Sequence, residues 1–196
     1  LNILALAYHV DYWDKLQTQH GVWKDPYSRP ESTERQNDYA NHPTSPRRGM
    51  RFTPHIVMNG RTVRGLTPEA LQQAFLRLER RPAAKVDFEP AMKDGGVDVS
   101  FEVKGETYDN QLVIAVVERG LVGKVTAGEN AGKTLAHHNV VRDHAVIDLS
   151  DQASGQVSFE VPEETDRDEL ALIAFVQDVN TLEIRGGRRM DLAAAE

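Results

Sequence analysis

The chain of 196 residues contains no cysteine. Disulfide bridges, thiolate catalysis and cysteine–zinc centres are therefore excluded within it. Long apolar runs are also lacking, since the longest, Leu112 to Val117, is far shorter than the roughly 20 residues that span a bilayer. No Gly-rich phosphate loop, Gly-x-Ser-x-Gly elbow or His-Glu-x-x-His helix occurs, so nucleotide-binding and hydrolase functions have no motif to support them.

Positive charge is scarce in the second half of the chain. Residues 1–85 carry 13 Lys and Arg against 8 Asp and Glu, whereas residues 86–196 carry 10 against 22. This asymmetry indicates two units with different surfaces. The basic surplus of the first unit is too small and too poor in interleaved aromatic residues for a nucleic-acid-binding protein, so we expect no nucleic-acid partner.

The first unit, residues 1–82, begins with a strand and a helix. Residues 2–10 are apolar without alternation, which is typical of a buried parallel strand. A capping box from Ser28 to Glu31 then opens a helix that we expect to reach about Asn41, before Pro43.

A hairpin and a second helix follow. Asn59-Gly60 is the strongest two-residue hairpin signal and lies between short apolar segments. Thr67 caps a helix that starts at Pro68 and ends before Pro82. Its apolar face, which we expect to cover a sheet, is formed by Leu71, Ala74, Phe75 and Leu78.

After Pro82 the pattern changes to short strands. Val97, Val99, Phe101 and Val103 alternate with polar residues, and several similar segments follow between turn residues. This spacing predicts an all-β sandwich of about seven strands over residues 86–196, with the domain boundary near residues 82–85.

Five phrases carry a family resemblance. They are LAYHVDYWD, WKDPYS, TERQNDYA, TPHIVMNGR and GENAGKTLAHHNVVR. Together they resemble the secreted thioredoxin-like proteins catalogued as domain of unknown function 1223. The resemblance implies a truncated thioredoxin-like α/β domain over residues 1–82, and the strand pattern predicts that an immunoglobulin-like sandwich follows over residues 86–196. It also implies a periplasmic or secreted location.

The departure from that family concerns its Cys-x-x-Cys motif. The resemblance places this motif, with the first strand and the dithiol helix, before Leu1, so we expect the chain to be truncated. The missing strand would be central in the sheet, leaving the strands at 2–9 and 55–58 without a ladder partner. We therefore expect a missing N-terminal segment, or a strand from a second copy, as a partner.

His9, Asp11 and Asp14 are the candidate modulators of a catalytic site, because they follow the carboxyl end of the first strand. There they would tune a thiol pKa or relay a proton. The alternative is structural. Tyr12, Trp13 and Trp23 would plug the end of the sheet, while the carboxylates cap loop amides.

The resemblance places a cis-proline at Pro54, after Thr53. With Tyr12 and Trp13 these residues form the candidate substrate-binding edge, where an extended peptide or protein substrate would pair. No residue of this chain is assigned as catalytic, and no cofactor is expected.

The remaining charged motifs indicate no metal site. His137 and His138 are adjacent, so they point to opposite faces of a strand and cannot easily share a zinc ion. Glu129, Asn130 and Gly132 predict a turn that Asn139 or Arg142 would bond to the sandwich. The acidic run 163–169 is expected to be a solvated loop, with calcium binding a minor alternative.

Three functions are compatible with these observations. The first is a thiol–disulfide redox protein whose cysteine motif lies outside this chain. The second is a non-catalytic module that binds an extended peptide by strand pairing. The third is a structural or envelope-associated domain, which the acidic sandwich would suit.

Overall fold

A computed structural model of the chain describes residues 3–76, 78 and 82–194. The helices in this part of the chain are α1 (Pro30–Asn41) and α2 (Pro68–Leu76). The strands are β1 (Val57–Met58), β2 (Arg61–Thr62), β3 (Ala84–Lys93), β4 (Gly96–Gly105), β5 (Asn110–Glu118), β6 (Leu121–Lys124), β7 (Thr134–His137), β8 (Val140–Asp148), β9 (Ser154–Glu160), β10 (Leu170–Asp178) and β11 (Ile184–Asp191).

Two antiparallel sheets face each other and enclose the main core. One has the strand order β11-β10-β5-β8 and the other β3-β4-β9. The four alternating residues of β4 all point into this core, as predicted, and Val97 and Val99 are fully buried. Leu112, Ile114 and Leu172 meet them from the opposite sheet.

Strands β5 and β10 are buried on both faces. Their second face belongs to a smaller cluster on the outer side of the four-stranded sheet, formed by Ala115, Val117, Val141, Ala171 and Ile173. The chain's first residues cover this cluster, because the side chains of Leu4, Leu6 and Tyr8 pack against it. We call residues 4–8 the N-terminal segment.

The predicted fold class is wrong. Strand makes up 42% of the structure and helix 14%, the strands form several antiparallel sheets, and the described residues do not form a thioredoxin α/β domain. The predicted strand over residues 2–10 (residue 2 lies outside the described residues) forms only isolated bridges, of Ala7 to Val140 and Val10 to Arg29. Leu4, Leu6 and Tyr8 of this run are partly buried against the face of an antiparallel sheet, rather than between the helices of a parallel one, and Ile3 is 63% exposed.

The local elements of the first 82 residues follow the sequence more closely. Helix α1 starts at Pro30 and ends at Asn41, so its predicted end is correct, but the predicted capping box is wrong, because Arg29 is the N-cap residue and makes no side-chain cap hydrogen bond. The hairpin of β1 and β2 turns at Asn59-Gly60, with φ of +50° and +85°, the left-handed values that this two-residue turn requires. The bond between Thr53 and Pro54 is cis.

Helix α2 starts at Pro68, as predicted, but covers no sheet. None of its described side chains is buried, and Phe75 is 37% exposed. Residues 77 and 79–81, which the sequence assigns to its last turns, lie outside the described residues. The division into domains at residues 82–86 stays a prediction, although β3 begins at Ala84.

Candidate binding groove

A large open groove of about 3410 Å³ runs beside the four-stranded sheet. The N-terminal segment, the β1–β2 hairpin, α2 and β11 all contribute to its lining. Pockets for small molecules are typically about 300–1,000 Å³. The groove is therefore sized for a larger ligand than a metabolite.

One wall of the groove is a backbone edge of the N-terminal segment. The N–H of Ala7 donates to Asn139 O at 2.9 Å, and Ala7 O accepts from Val141 N at 3.0 Å. Successive residues of an extended chain point their backbone groups to opposite edges, so those of Leu6 and Tyr8 point away from β8. Among the described residues they have no backbone partner.

The hairpin supplies a second backbone edge. The N–H of Val63 donates to Ile56 O at 2.8 Å, so the next pair along the ladder, Val57 with Thr62, is the non-hydrogen-bonded type. The N–H and C=O of Val57 therefore point away from β2. Within the described part of the chain no group bonds them.

The far end of the hairpin sits on the turn between β10 and β11. The α-carbon of Gly60 lies so close to Leu182 that a Cβ at this position would overlap the Leu182 carbonyl. Arg61 pairs with Glu183 on the same turn. Leu182 O also accepts from the buried Gln177 amide at 2.8 Å. These contacts fix the hairpin relative to the sheet.

Asp178 holds this turn together. Its carboxylate accepts from the N–H groups of Asn180 and Thr181 at 2.9 and 2.8 Å, and from Arg185 at 2.7 Å. Burial opposes ionisation of Asp178, but these hydrogen bonds outweigh it and lower the pKa of its carboxyl from 3.8 to about 2.

The low pKa of Asp178 makes the turn sensitive to acid. Because the pKa is lower in the folded state, Asp178 stabilises the fold above pH 4, and this contribution is lost as the pH falls from about 4 to 2. We expect Asp178→Asn to lower the melting temperature at pH 7 and to reduce the further loss between pH 4 and 2. Melting curves from pH 2 to 7 measure this. Asp151→Asn, an exposed site between β8 and β9, is the control and should keep the wild-type acid dependence.

Three of the four residues predicted to form the substrate-binding edge, Trp13, Thr53 and Pro54, line the groove, whereas Tyr12 does not. Trp13 Nε1 donates to Thr53 Oγ1 at 3.1 Å, which ties the cis-proline loop to the region of His9 to Trp13. The Tyr12 ring lies 5.2 Å from the Trp13 ring. Trp13 is 48% exposed, so it borders the groove rather than plugging a core.

The three candidate modulators occupy different environments. Asp11 accepts from the Thr33 hydroxyl of α1 at 2.6 Å. Asp14 accepts from the Asp25 N–H at 3.2 Å and from the Ser28 hydroxyl at 2.6 Å. Both carboxylates therefore stabilise the local structure, in agreement with the structural role that the sequence analysis gave as the alternative. A role in modulating a catalytic group stays a prediction for them.

His9 belongs to a polar cluster that the sequence did not reveal. Its Nδ1 lies 2.6 Å from Asp25 Oδ2, and a carboxylate only accepts, so Nδ1 carries the proton. Burial opposes ionisation of Asp25, but hydrogen bonds from His9 and the Tyr27 N–H lower the pKa of its carboxyl. The His137 ring stacks edge-on against His9 at 4.9 Å, and burial, with the nearby His9, lowers the pKa of His137.

The other motifs singled out in the sequence make hydrogen bonds and ion pairs within the fold. The predicted turn at 129–132 forms, and Gly132 N donates to Val125 O at 2.8 Å. Arg142 pairs with the buried Glu118 at 3.4 Å, and Asn139 Oδ1 accepts from Arg189 at 3.2 Å.

Within residues 3–76, 78 and 82–194, no group of three or more His, Asp or Glu is arranged to hold a metal ion. No helix there is long and apolar enough to cross a membrane.

Two solved structures resemble part of the chain only weakly. A domain of the outer membrane lipoprotein Omp28 from Porphyromonas gingivalis aligns with a TM-score of 0.32 and 14% identity, over 57% of this chain and 88% of that one. The β-glucosidase DesR from Streptomyces venezuelae, in complex with D-glucose, aligns with a TM-score of 0.23 and 12% identity, over 56% of this chain and 15% of that one. Similarity at this level carries no functional argument. No curated protein matches the chain.

Comparison with a family model identifies the family of the chain, which the two solved structures do not. The model described as "Protein of unknown function (DUF1223)" matches residues 1–177, which include all five phrases noted in the sequence. The chain therefore belongs to the DUF1223 family.

Proposed function

We propose that this protein binds an extended polypeptide segment, which adds as a β-strand in the groove. The observation that carries the proposal is the pair of unbonded backbone edges, at Leu6 and Tyr8 on one wall and at Val57 on the other. Both border the same groove. An exposed strand edge is a template for pairing with another chain, and strand addition is a common mode of peptide recognition.

The lining of the groove agrees with an extended, partly apolar ligand. Helix α2 presents Ala74 and Phe75 to the groove without burying them elsewhere. A strand between the two walls would bring its alternate side chains against this face. It would also provide hydrogen-bond partners for the backbone groups of both edges. Each such hydrogen bond contributes about 0.5–1.5 kcal/mol to the free energy of binding.

A thiol–disulfide activity has no residue in this chain to perform it, because the sequence contains no cysteine. Peptide binding requires only the groove itself. The resemblance noted above implies a periplasmic or secreted protein, and we propose that location for the binding activity.

The test uses the chain's own fluorescence. Trp13 and Trp23 are its only tryptophans, and both line the groove. Titration with an eight-residue peptide of alternating valine and threonine, acetylated and amidated, should change their emission in a saturable manner. A peptide of the same composition with proline at alternate positions is the control, and it should not bind.

N-methylation of the peptide tests the strand geometry without altering the protein. A strand between two edges uses amides of both alternate sets, so an N-methyl group on an amide that pairs with Leu6, Tyr8 or Val57 should weaken binding by about two- to tenfold, the value of one hydrogen bond. If every N-methylated peptide binds as tightly as the unmodified peptide, the proposal is wrong. Light scattering of the protein alone distinguishes the source of the strand, since a monomer that binds peptide excludes strand exchange between copies.

A further inference from the structure

Helix α1 carries a buried cation that faces the groove. Arg35 is 4% exposed, yet it lines the groove together with Tyr39 and Phe175. Its guanidinium lies 4.9 Å from the centre of the Tyr39 ring and 5.9 Å from that of Phe175. It donates to the Gln177 side-chain oxygen and, at 2.9 Å, to the Tyr39 hydroxyl. These partners fix its position, but all of them are neutral.

The charge of Arg35 is poorly balanced. Its carboxylate partner within the described residues is Asp38, at 3.4 Å, and that side chain is 56% exposed. Solvent screens such a pair, so it compensates little of the cost of burying a guanidinium. The Nε of Arg35 is buried and has no acceptor among the described residues. One donor of the guanidinium therefore remains unused.

A second unused donor lies next to Arg35. The Tyr8 hydroxyl is buried, and its proton has no acceptor in the described part of the chain. Burial raises the pKa of Tyr8 to about 12, despite the opposing charge of Arg35, so the hydroxyl keeps its proton. Tyr8 also lines the groove and belongs to the edge that we assign to strand addition. Arg35 and Tyr8 thus offer two donors to one region of the groove.

We infer that the polypeptide bound in the groove carries a carboxylate, which Arg35 and Tyr8 bind. This inference rests on the proposed function and names the chemistry of its ligand. A carboxylate accepts from a guanidinium and a hydroxyl at once, and it supplies the negative charge that the site lacks. The ligand is therefore an extended segment with an Asp or Glu side chain, or with its own C-terminal carboxylate, at this position.

The experiment compares matched peptides. The alternating peptide is made with a single Glu stepped through four successive positions, and each version is paired with its Gln counterpart. A further version has no Glu but a free C-terminal carboxylate, which distinguishes the two sources of the group. With the wild-type protein, at least one acidic version should bind ten times more tightly than its neutral pair.

Two variants test whether Arg35 and Tyr8 each contribute to the preference for an acidic peptide. Tyr8→Phe removes the unpaired hydroxyl and keeps the ring, so it should fold with unchanged stability and lose part of the acidic preference, by about threefold or more. Arg35→Gln should abolish the preference while neutral peptides still bind. Tyr27→Phe, at a hydroxyl that contacts Val122 O outside this site, is the control and should keep the full preference.

The outcomes separate this inference from the function on which it rests. Equal binding of acidic and neutral peptides to the wild-type protein would overturn the carboxylate inference and leave peptide binding intact. An acidic preference that survives in both variants would also overturn it. Failure of every peptide to bind would overturn the proposed function and this inference together.

Discussion

Replacing Gly60 by alanine is expected to detach the β1–β2 hairpin from the sheet. Gly60 has a φ of +85°, and its α-carbon lies against the Leu182 carbonyl, so a Cβ would both strain the backbone and overlap that group. Strain at such a position costs about 1–3 kcal/mol. Inserting a group into a closely packed contact costs about a further 1–3 kcal/mol. At roughly 2–4 °C per kcal/mol for a protein of this size, the melting temperature should fall by about 4 °C or more.

Gly132→Ala is the matched control for this prediction. Gly132 has nearly the same φ, +82°, but a Cβ there meets no atom within 4 Å, and this residue does not line the groove. It therefore incurs the strain without the overlap. Peptide binding should weaken in the Gly60 variant and not in the Gly132 variant, because only Gly60 positions the Val57 edge. Equal effects of the two substitutions on both melting and binding would show that the contact with Leu182 does not hold the hairpin.

Ile173→Ala is expected to destabilise the protein strongly. Ile173 is fully buried in the outer cluster of the four-stranded sheet, beneath the N-terminal segment. Removing a buried isoleucine side chain to alanine typically costs about 2–5 kcal/mol, from lost burial and the cavity that remains. Urea denaturation measures this loss. Val146→Ala, at a 49% exposed position on β8, should stay within about 0.5 kcal/mol of the wild type.

Hydrogen exchange shows whether the outer cluster holds the N-terminal segment. The N–H of Val141 donates to Ala7 O, so its exchange reports the attachment of that segment. Ile173→Ala should accelerate exchange at Val141 and Ala7 more than Ile114→Ala, which opens a cavity in the core between the sheets. If the two variants accelerate these amides equally, the outer cluster is not what holds the segment.

The elements that were predicted correctly from the sequence are determined by residues close to them in the sequence. The turn at Asn59-Gly60 follows from two residues that tolerate positive φ, and both helices start at a proline, Pro30 and Pro68. The strands of the three-stranded sheet follow from alternation, as in Val97 and Val99 of β4. Each of these signals lies within a few residues of the element that it specifies.

The prediction for residues 2–10 failed because its outcome depends on distant residues. A run without alternation has the same composition whether it forms a strand of a parallel sheet or lies across the face of an antiparallel one. Leu4 and Leu6 are partly buried against a surface that is formed by residues between 115 and 173. The pattern indicates that the side chains of the run are partly or fully buried, but it does not indicate which part of the protein buries them.

The candidate site was predicted only in part for the same reason. The contact of Trp13 with Thr53 agrees with the predicted edge, but the partner of His9, Asp25, comes from a loop without a regular pattern. Arg35 was missed because a buried arginine carries no signal in a hydrophobic periodicity. Its position depends on Gln177, at the end of a strand far along the chain.

The long-range contacts of the N-terminal segment and α1 also set an order of folding. Arg35 and Gln177 are separated by 142 residues, and Arg29 and Asp143 by 114. Contacts this distant form slowly, because a long loop must close before they are gained. Synthesis of the intervening chain alone takes on the order of ten seconds. Leu4 and Leu6 therefore remain in water until β10 has been made, so we expect the N-terminal segment to take its place late in folding and to be a binding site for chaperones in the interval.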